Sequence, residues 1–302
     1  MGLAVSGGPD SLALLLLANE ALPGKISVVS VNHGLRPASA DEVSFVAALC
    51  RELDVRFTGL SVEVSAGNLQ ARAREARYEA MGRWVRDEDL GALATAHHAD
   101  DQAETLLMRL NRGSGLSGLA GVRGAAMLLE GEAPLLRPLL DWRKAELEAI
   151  VERAGIEPVR DPSNQDTAFD RVQVRQHLAE NEWLSVDRIA DSAEHLAEAW
   201  RAIEWYADLD WEEMVHREDG PSFRYYANVP RIVAIETIRR IIAELGGNVS
   251  RSEAARAFDR LWHEQNASLS GVLVVPGTER IEPTGVTMRV WRFVPEPPRN
   301  FH

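Results

Sequence analysis

Apolar and polar positions interchange along the first half of the chain in a regular order. Residues 2–6 (GLAVS) are mostly apolar, a polar hexapeptide overlaps their end, and an apolar stretch follows to residue 21. This pattern predicts a short strand, a tight loop and a helix over 10–21. Residues 25–32 (KISVVSVN) are rich in β-branched side chains and predict a second strand. A helix is expected over 38–53, a third strand over 55–62 and an Arg/Glu/Ala-rich helix over 68–85. A fourth strand over 90–96, a helix over 100–112, a fifth strand over 135–140 and a helix over 141–154 complete the series. The glycine-rich stretch 113–121 reads as a connector that ends a helix, or as a mobile loop. Strands alternating with helices imply an α/β fold with a doubly wound parallel five-stranded sheet. Right-handed crossovers then place the loops after the strand C-termini on one edge, where ligands bind.

From residue 185 the period changes. Amphipathic helices are expected over 187–215, 230–245 and 251–265. Two β-rich runs follow, 271–275 and 286–291, separated by a turn at Pro276-Gly277-Thr278. Two domains are therefore expected. Residues 1–184 form the sheet domain, and residues 185–302 a smaller, mostly helical one with a short terminal β-hairpin. Residues 295–302 read as a frayed tail.

Composition narrows the function classes. The 302 residues carry a formal net charge of −13, which argues against general coating of polyanions. Lys25 and Lys144 are the only lysines, so nearly all positive charge is arginine, the residue suited to bidentate phosphate contacts. The single cysteine, Cys50, lies in an apolar helical run and reads as a buried thiol. Alone it forms no internal disulfide, iron–sulfur cluster or tetrathiolate zinc site. The longest apolar run is too short to cross a membrane, and no basic-then-apolar leader precedes it. The chain reads as cytoplasmic, with no membrane partner.

The hexapeptide Ser6-Gly7-Gly8-Pro9-Asp10-Ser11 carries the first chemistry. It joins a strand to a helix, the position where backbone N–H groups and the helix dipole receive anions. Gly7 and Gly8 admit close approach, and Ser6 and Ser11 add hydroxyls. The loop lacks the lysine of a Walker A motif and is not Gly-x-Gly-x-x-Gly. The Asp10 carboxylate would repel a bare phosphate, so it either caps the helix or works through a Mg²⁺ ion.

Ser-Gly-Gly-x-Asp-Ser resembles the pyrophosphatase (PP) loop of the N-type ATP pyrophosphatases. Further stretches follow in order: Val31-Asn32-His33-Gly34-Leu35-Arg36-Pro37, Asn68-Leu69-Gln70-Ala71-Arg72, Arg77-Tyr78 and 95–105 (TAHHADDQAET). Arg112-Gly113-Ser114-Gly115, Arg137-Pro138-Leu139-Leu140 and Asp161-Pro162-Ser163-Asn164 complete the set. Each is weak alone; together they resemble the tRNA(Ile)-lysidine synthase family over residues 2–175. That family uses ATP to adenylate the wobble cytidine of a CAU anticodon, and lysine then displaces AMP. The tRNA thereby changes its codon and its amino-acid identity.

The resemblance implies a strand order 3-2-1-4-5 and a set of roles. Ser6, Gly7, Gly8, Pro9, Asp10, Ser11, Asn32, His33 and His97 would meet ATP, with Asp10 the candidate Mg²⁺ ligand. Asp10, Arg77, Asp101 and Glu104 would be catalytic. Asp101 and Glu104, one helical turn apart, would hold L-lysine. Arg36, Arg72, Arg112, Arg171 and Arg175 would face tRNA(Ile). Around Arg171 the family's Arg-Asn-Arg-x-Arg pattern is reduced to Arg171-Val172-Gln173-Val174-Arg175. The chain starts close to its first strand and is shorter than the longest members. An extra terminal tRNA-binding domain is therefore expected to be absent, with tRNA docking on both domains. A homodimer is compatible with the sequence. Alternatives are a tRNA 2-thiocytidine synthetase, disfavoured by the lone cysteine, an amide-forming pyrophosphatase, and a nucleotide-binding protein without turnover.

Overall fold

The computed structural model describes residues 1–32, 34, 38–62, 69–128, 133–159 and 170–296. The chain divides into two compact units, Met1–Glu198 and Ala199–His302.

The first unit is built on a six-stranded sheet of order β3-β2-β1-β4-β6-β5. Its strands are β1 (Gly2–Ala4), β2 (Ser27–Asn32), β3 (Arg56–Ser61), β4 (Leu93–Ala94), β5 (Ala125–Leu128) and β6 (Ala133–Leu136). All pairings are parallel except β5 with β6. The expected order 3-2-1-4-5 is present, β6 being the fifth parallel strand. The antiparallel β5 adds an edge that the sequence pattern did not announce. Its four residues, Ala-Ala-Met-Leu, show no apolar–polar alternation that would mark a strand.

Helices cover both faces. α1 (Pro9–Ala21), α2 (Ala38–Glu52) and α6 (Lys144–Arg153) share a core with β1 and β2 that includes Leu3, Leu12, Leu15, Val28, Cys50 and Leu147. α3 (Leu69–Asp87) packs Met81, Trp84 and Val85 on the opposite face, against Val29, Leu93 and Leu135. One side for α1 and α2 and the other for α3 is what right-handed crossovers on a sheet that reverses direction require. The reversal lies between β1 and β4. The remaining helices are α4 (Ala99–Asn111), the single turn α5 (Leu116–Leu119), α7 (Asp170–Glu180) and α8 (Val186–Met214).

The second unit has its own antiparallel sheet, β7-β8-β11-β10-β9. It comprises β7 (Val215–Arg217), β8 (Phe223–Tyr225), β9 (Ala267–Leu269), β10 (Val272–Ile281) and β11 (Val286–Pro295). Helices α9 (Arg231–Glu244) and α10 (Arg251–Trp262) bury Ile235, Ile238, Ile241, Phe258 and Leu261 with Tyr225, Trp291 and Phe293. The expected hairpin is thus part of a larger sheet, and its turn lies elsewhere. Pro276 does not turn the chain; it pairs with Trp291 inside β10. β9 reaches only Val272–Val274, so beyond that point β10 is an edge and proline's missing N–H costs no ladder bond.

Candidate active site

The loop between β1 and α1 is closed by its own groups. The Ser6 N–H donates to Ser11 Oγ at 3.1 Å, and the Ser11 hydroxyl donates to the Gly8 carbonyl at 3.0 Å. Ser11 has spent its only hydrogen there, so in the 3.2 Å contact between the two hydroxyls Ser6 is the donor. Gly7 has φ +86°, and a Cβ there would meet Val159 Cγ2 at 3.2 Å. The Val159 N–H donates to the Gly7 carbonyl at 2.9 Å. Only glycine satisfies both demands. Gly8 is the N-cap of α1 and Pro9 its first helical residue, a position where proline loses no helical bond. Asp10 does not cap the helix. Its Oδ1 is buried with no hydrogen-bond partner.

After β4 the chain brings a second set of groups to the same edge. Thr95 Oγ1 lies 2.9 Å from His97 Nδ1. Burial pushes the His97 imidazole down to about 4, so it is neutral at physiological pH. His98 is the N-cap of α4. Its Nδ1 accepts the Asp101 N–H at 3.4 Å, while Asp101 Oδ2 accepts the His98 N–H at 3.1 Å, a reciprocal capping box. Burial alone would lower the His98 imidazole, but Asp10, Asp101 and Asp100 outweigh it and raise it. His98, not Asp100, therefore caps α4. Asp100 instead accepts the Lys144 N–H at 2.8 Å and the Arg143 guanidinium at 3.2 Å, which satisfies the start of α6.

Between these two sets lies a cavity of about 460 Å³, within the size range of small-ligand sites. Ser6, Gly8, Pro9, Asp10 and Ser11 form one wall, His97 and Asp101 another, and Arg74, Arg77 and Arg171 supply guanidinium groups. Arg77 makes no ion pair with a neighbouring glutamate; Glu79 pairs with Arg83. The Arg77 Nε is buried without a partner, and desolvation lowers its pKa. A buried cation of this kind gains most from an incoming anion.

Arg171 and Arg175, expected at tRNA, hold the α4 carboxylates. Arg171 donates to Glu104 Oε2 and Asp101 Oδ1, each at 2.5 Å, and Arg175 Nε donates to Glu104 Oε1 at 2.7 Å. Asp101 borders the cavity; Glu104, 1% exposed, does not and sits behind those arginines. Arg112 pairs with Asp170 at 2.5 Å on the surface, and Arg72 is exposed on α3. Asn32 ends β2, where its Oδ1 accepts the Gly34 N–H at 2.9 Å. His33, Arg36 and the 161–164 motif lie outside the described residues. The glycine-rich connector is anchored. Gln102 exchanges two hydrogen bonds with Val122, and Arg109 donates to the carbonyls of Gly118 and Gly121. The site expected from the sequence includes His97 but not its neighbour His98, which caps α4 ahead of the two aspartates.

The family model of the PP-loop domain matches residues 1–182. The tRNA(Ile)-lysidine synthase of Novosphingobium aromaticivorans is 48% identical over 273 residues, 89% of this chain and 84% of that relative. That of Zymomonas mobilis is 37% identical over 305 residues, 99% of this chain and 89% of the relative. The chain belongs to the tRNA(Ile)-lysidine synthase family. As a tRNA(Ile)-lysidine synthase family member it is a ligase-type, ATP-using enzyme, and Ser6–Ser11 is the stretch of the matched domain that resembles a PP-loop. Among solved structures, the U34-tRNA thiolase of Methanococcus maripaludis superposes with a TM-score of 0.56. It is 20% identical, and the match covers 65% of this chain and 71% of that one, so it shows a common fold. The thiolase carries a [4Fe-4S] cluster; here the one cysteine, Cys50, is buried and burial pushes its thiol up to about 11. Among the described residues no group of three or more His, Cys, Asp or Glu is arranged around a metal site, and no helix is long and apolar enough to cross a membrane.

Proposed function

We propose that the cavity binds ATP, takes up L-lysine and receives the wobble cytidine of tRNA(Ile) with a CAU anticodon. The cytidine oxygen attacks the α-phosphate and pyrophosphate leaves. An amine of lysine then displaces AMP from the ring carbon, giving lysidine. The observation that supports this reading most is the meeting of a self-closed PP-loop with Arg77, whose buried Nε has no partner, and a carboxylate, Asp101, around one cavity. The loop amides and hydroxyls suit the leaving pyrophosphate, and Arg77 offsets its charge. Asp101 attracts the lysine ammonium, and Glu104 acts one layer behind through Arg171 and Arg175.

Asp10 fits a Mg²⁺ ion. It offers an oxygen without a protein partner beside the phosphate loop, and Mg²⁺ at nucleotide sites takes one or two carboxylates with phosphate oxygens. Such an ion supplies charge neutralisation for the phosphates. Residues 1–184 are assigned catalysis and residues 185–302 tRNA contact, in the cytoplasm.

Incubation with radiolabelled lysine, ATP and the CAU-bearing isoleucine tRNA tests the reading. Label is expected in the tRNA, with pyrophosphate released only when the tRNA is present and sustained turnover only when lysine is added. Asp10→Ala is expected to abolish transfer with the fold intact. Retained transfer removes the loop carboxylate from the reaction.

A further inference from the structure

The reading above leaves His98 without a task, yet its surroundings are unusually specific. The residue is 4% exposed and sits at the reversal of the sheet, between the start of α1 and the start of α4. Its Nδ1 faces the Asp101 N–H, which can only donate, so Nδ1 carries the lone pair. The hydrogen of a neutral ring is therefore on Nε2. Nε2 lies 3.7 Å from Asp10 Oδ2 and 3.6 Å from Asp101 Oδ2. The third carboxylate near the ring, Asp100, lies 3.7 Å from Nδ1 and is already engaged by Arg143 and the Lys144 N–H. The other Asp10 oxygen, Oδ1, has no partner.

We propose that His98 is a positioning residue for the reaction. Its Nε2–H faces the Oδ2 edges of Asp10 and Asp101 at charge-pair distance, steers the Asp10 carboxylate electrostatically, leaves its buried Oδ1 without a protein partner, and couples the PP-loop carboxylate to the α4 turn that carries Asp101. The backbone cap selects the tautomer, and the tautomer selects which carboxylates are held. This rests on the assignment of Asp10 to ATP and its cation.

Two substitutions separate the cap from the positioning. Asparagine at 98 keeps a good N-cap acceptor but does not reach Asp10. Glutamine at 98 reaches with an amide N–H where Nε2 stood but is a poor cap. The full-length His98→Asn variant is expected to melt with the wild type yet bind ATP with Mg²⁺ roughly tenfold or more weakly, as loss of an outer-shell partner does. Calorimetry without tRNA or lysine reads this in the absence of turnover. The kcat for pyrophosphate release is expected to fall in parallel. His98→Gln is expected to melt earlier but recover most of the affinity. Two-bond ¹⁵N–¹H spectra of the wild type should show the proton on Nε2. Wild-type affinity and turnover in His98→Asn, equal impairment in both variants, or a proton on Nδ1 overturns the proposal. Asp10→Ala run alongside separates the two levels. Activity there defeats the assignment of Asp10, whereas an inactive Asp10→Ala beside an active His98→Asn defeats only the role of His98.

Discussion

At the scale of single residues, burial decides which groups are charged. His97 is held neutral down to about 4, while the unfolded chain protonates its histidines near 6.5. Between these values the unfolded state binds the extra proton, so acidification through that window destabilises the fold. The melting temperature is expected to fall less between pH 6.5 and 4 in His97→Gln than in the wild type; parallel curves would remove His97 from the balance. Gly7 makes a second prediction. Alanine at φ +86° against Val159 is strained, and about 1–2 kcal/mol of stability is expected to be lost in urea titrations. The residue types of the PP-loop already suggest phosphate in the sequence, whereas the proposed roles of Arg77, His97 and Asp101 rest on the family resemblance of their runs. Hidden from the sequence was who holds whom. The turn of Asp100 toward α6 depends on contacts across 43 and 44 positions of chain.

At the scale of elements, α7 carries the lesson. Arg171-Val172-Gln173-Val174-Arg175 alternates like a strand, and only Val172 and Leu178 of the helix are buried, so no helical stripe marks it. Ion pairs from Arg171 and Arg175 tie it to α4. Glu104→Gln is expected to cost on the order of 1–3 kcal/mol, less than for a fully buried pair because Arg171 and Arg175 keep 41% and 37% of their side chains exposed. Chemical denaturation measures that loss, and lysine transfer is expected to drop with it. The other departures have equally local causes. β5 shows no apolar–polar alternation, and Pro276 was taken for a turn because the edge that tolerates it is made by the early end of β9. The doubly wound core was readable because buried parallel strands are continuous apolar runs.

At the scale of the molecule, each unit has core residues of its own. The cavity is lined by the first unit alone, whereas Ile238 is buried in the core of the second. Ile238→Ala is expected to cost about 2–5 kcal/mol of stability. ATP affinity, measured below the onset of melting, is expected to stay at the wild-type level. A change in affinity would show that the second core reaches the site.

The ion pairs of the first unit also bear on how the enzyme meets a polyanion. Arg112, Arg171 and Arg175 already carry carboxylate partners, at Asp170, Asp101 and Glu104. A guanidinium neutralised within the protein displaces few counterions from a nucleic-acid backbone. Against the slope of roughly −0.7 to −0.9 per phosphate contact seen for free cations, the plot of log affinity for tRNA against log salt is therefore expected to be shallow. Under the proposed function, binding of this kind is expected to persist as ionic strength rises.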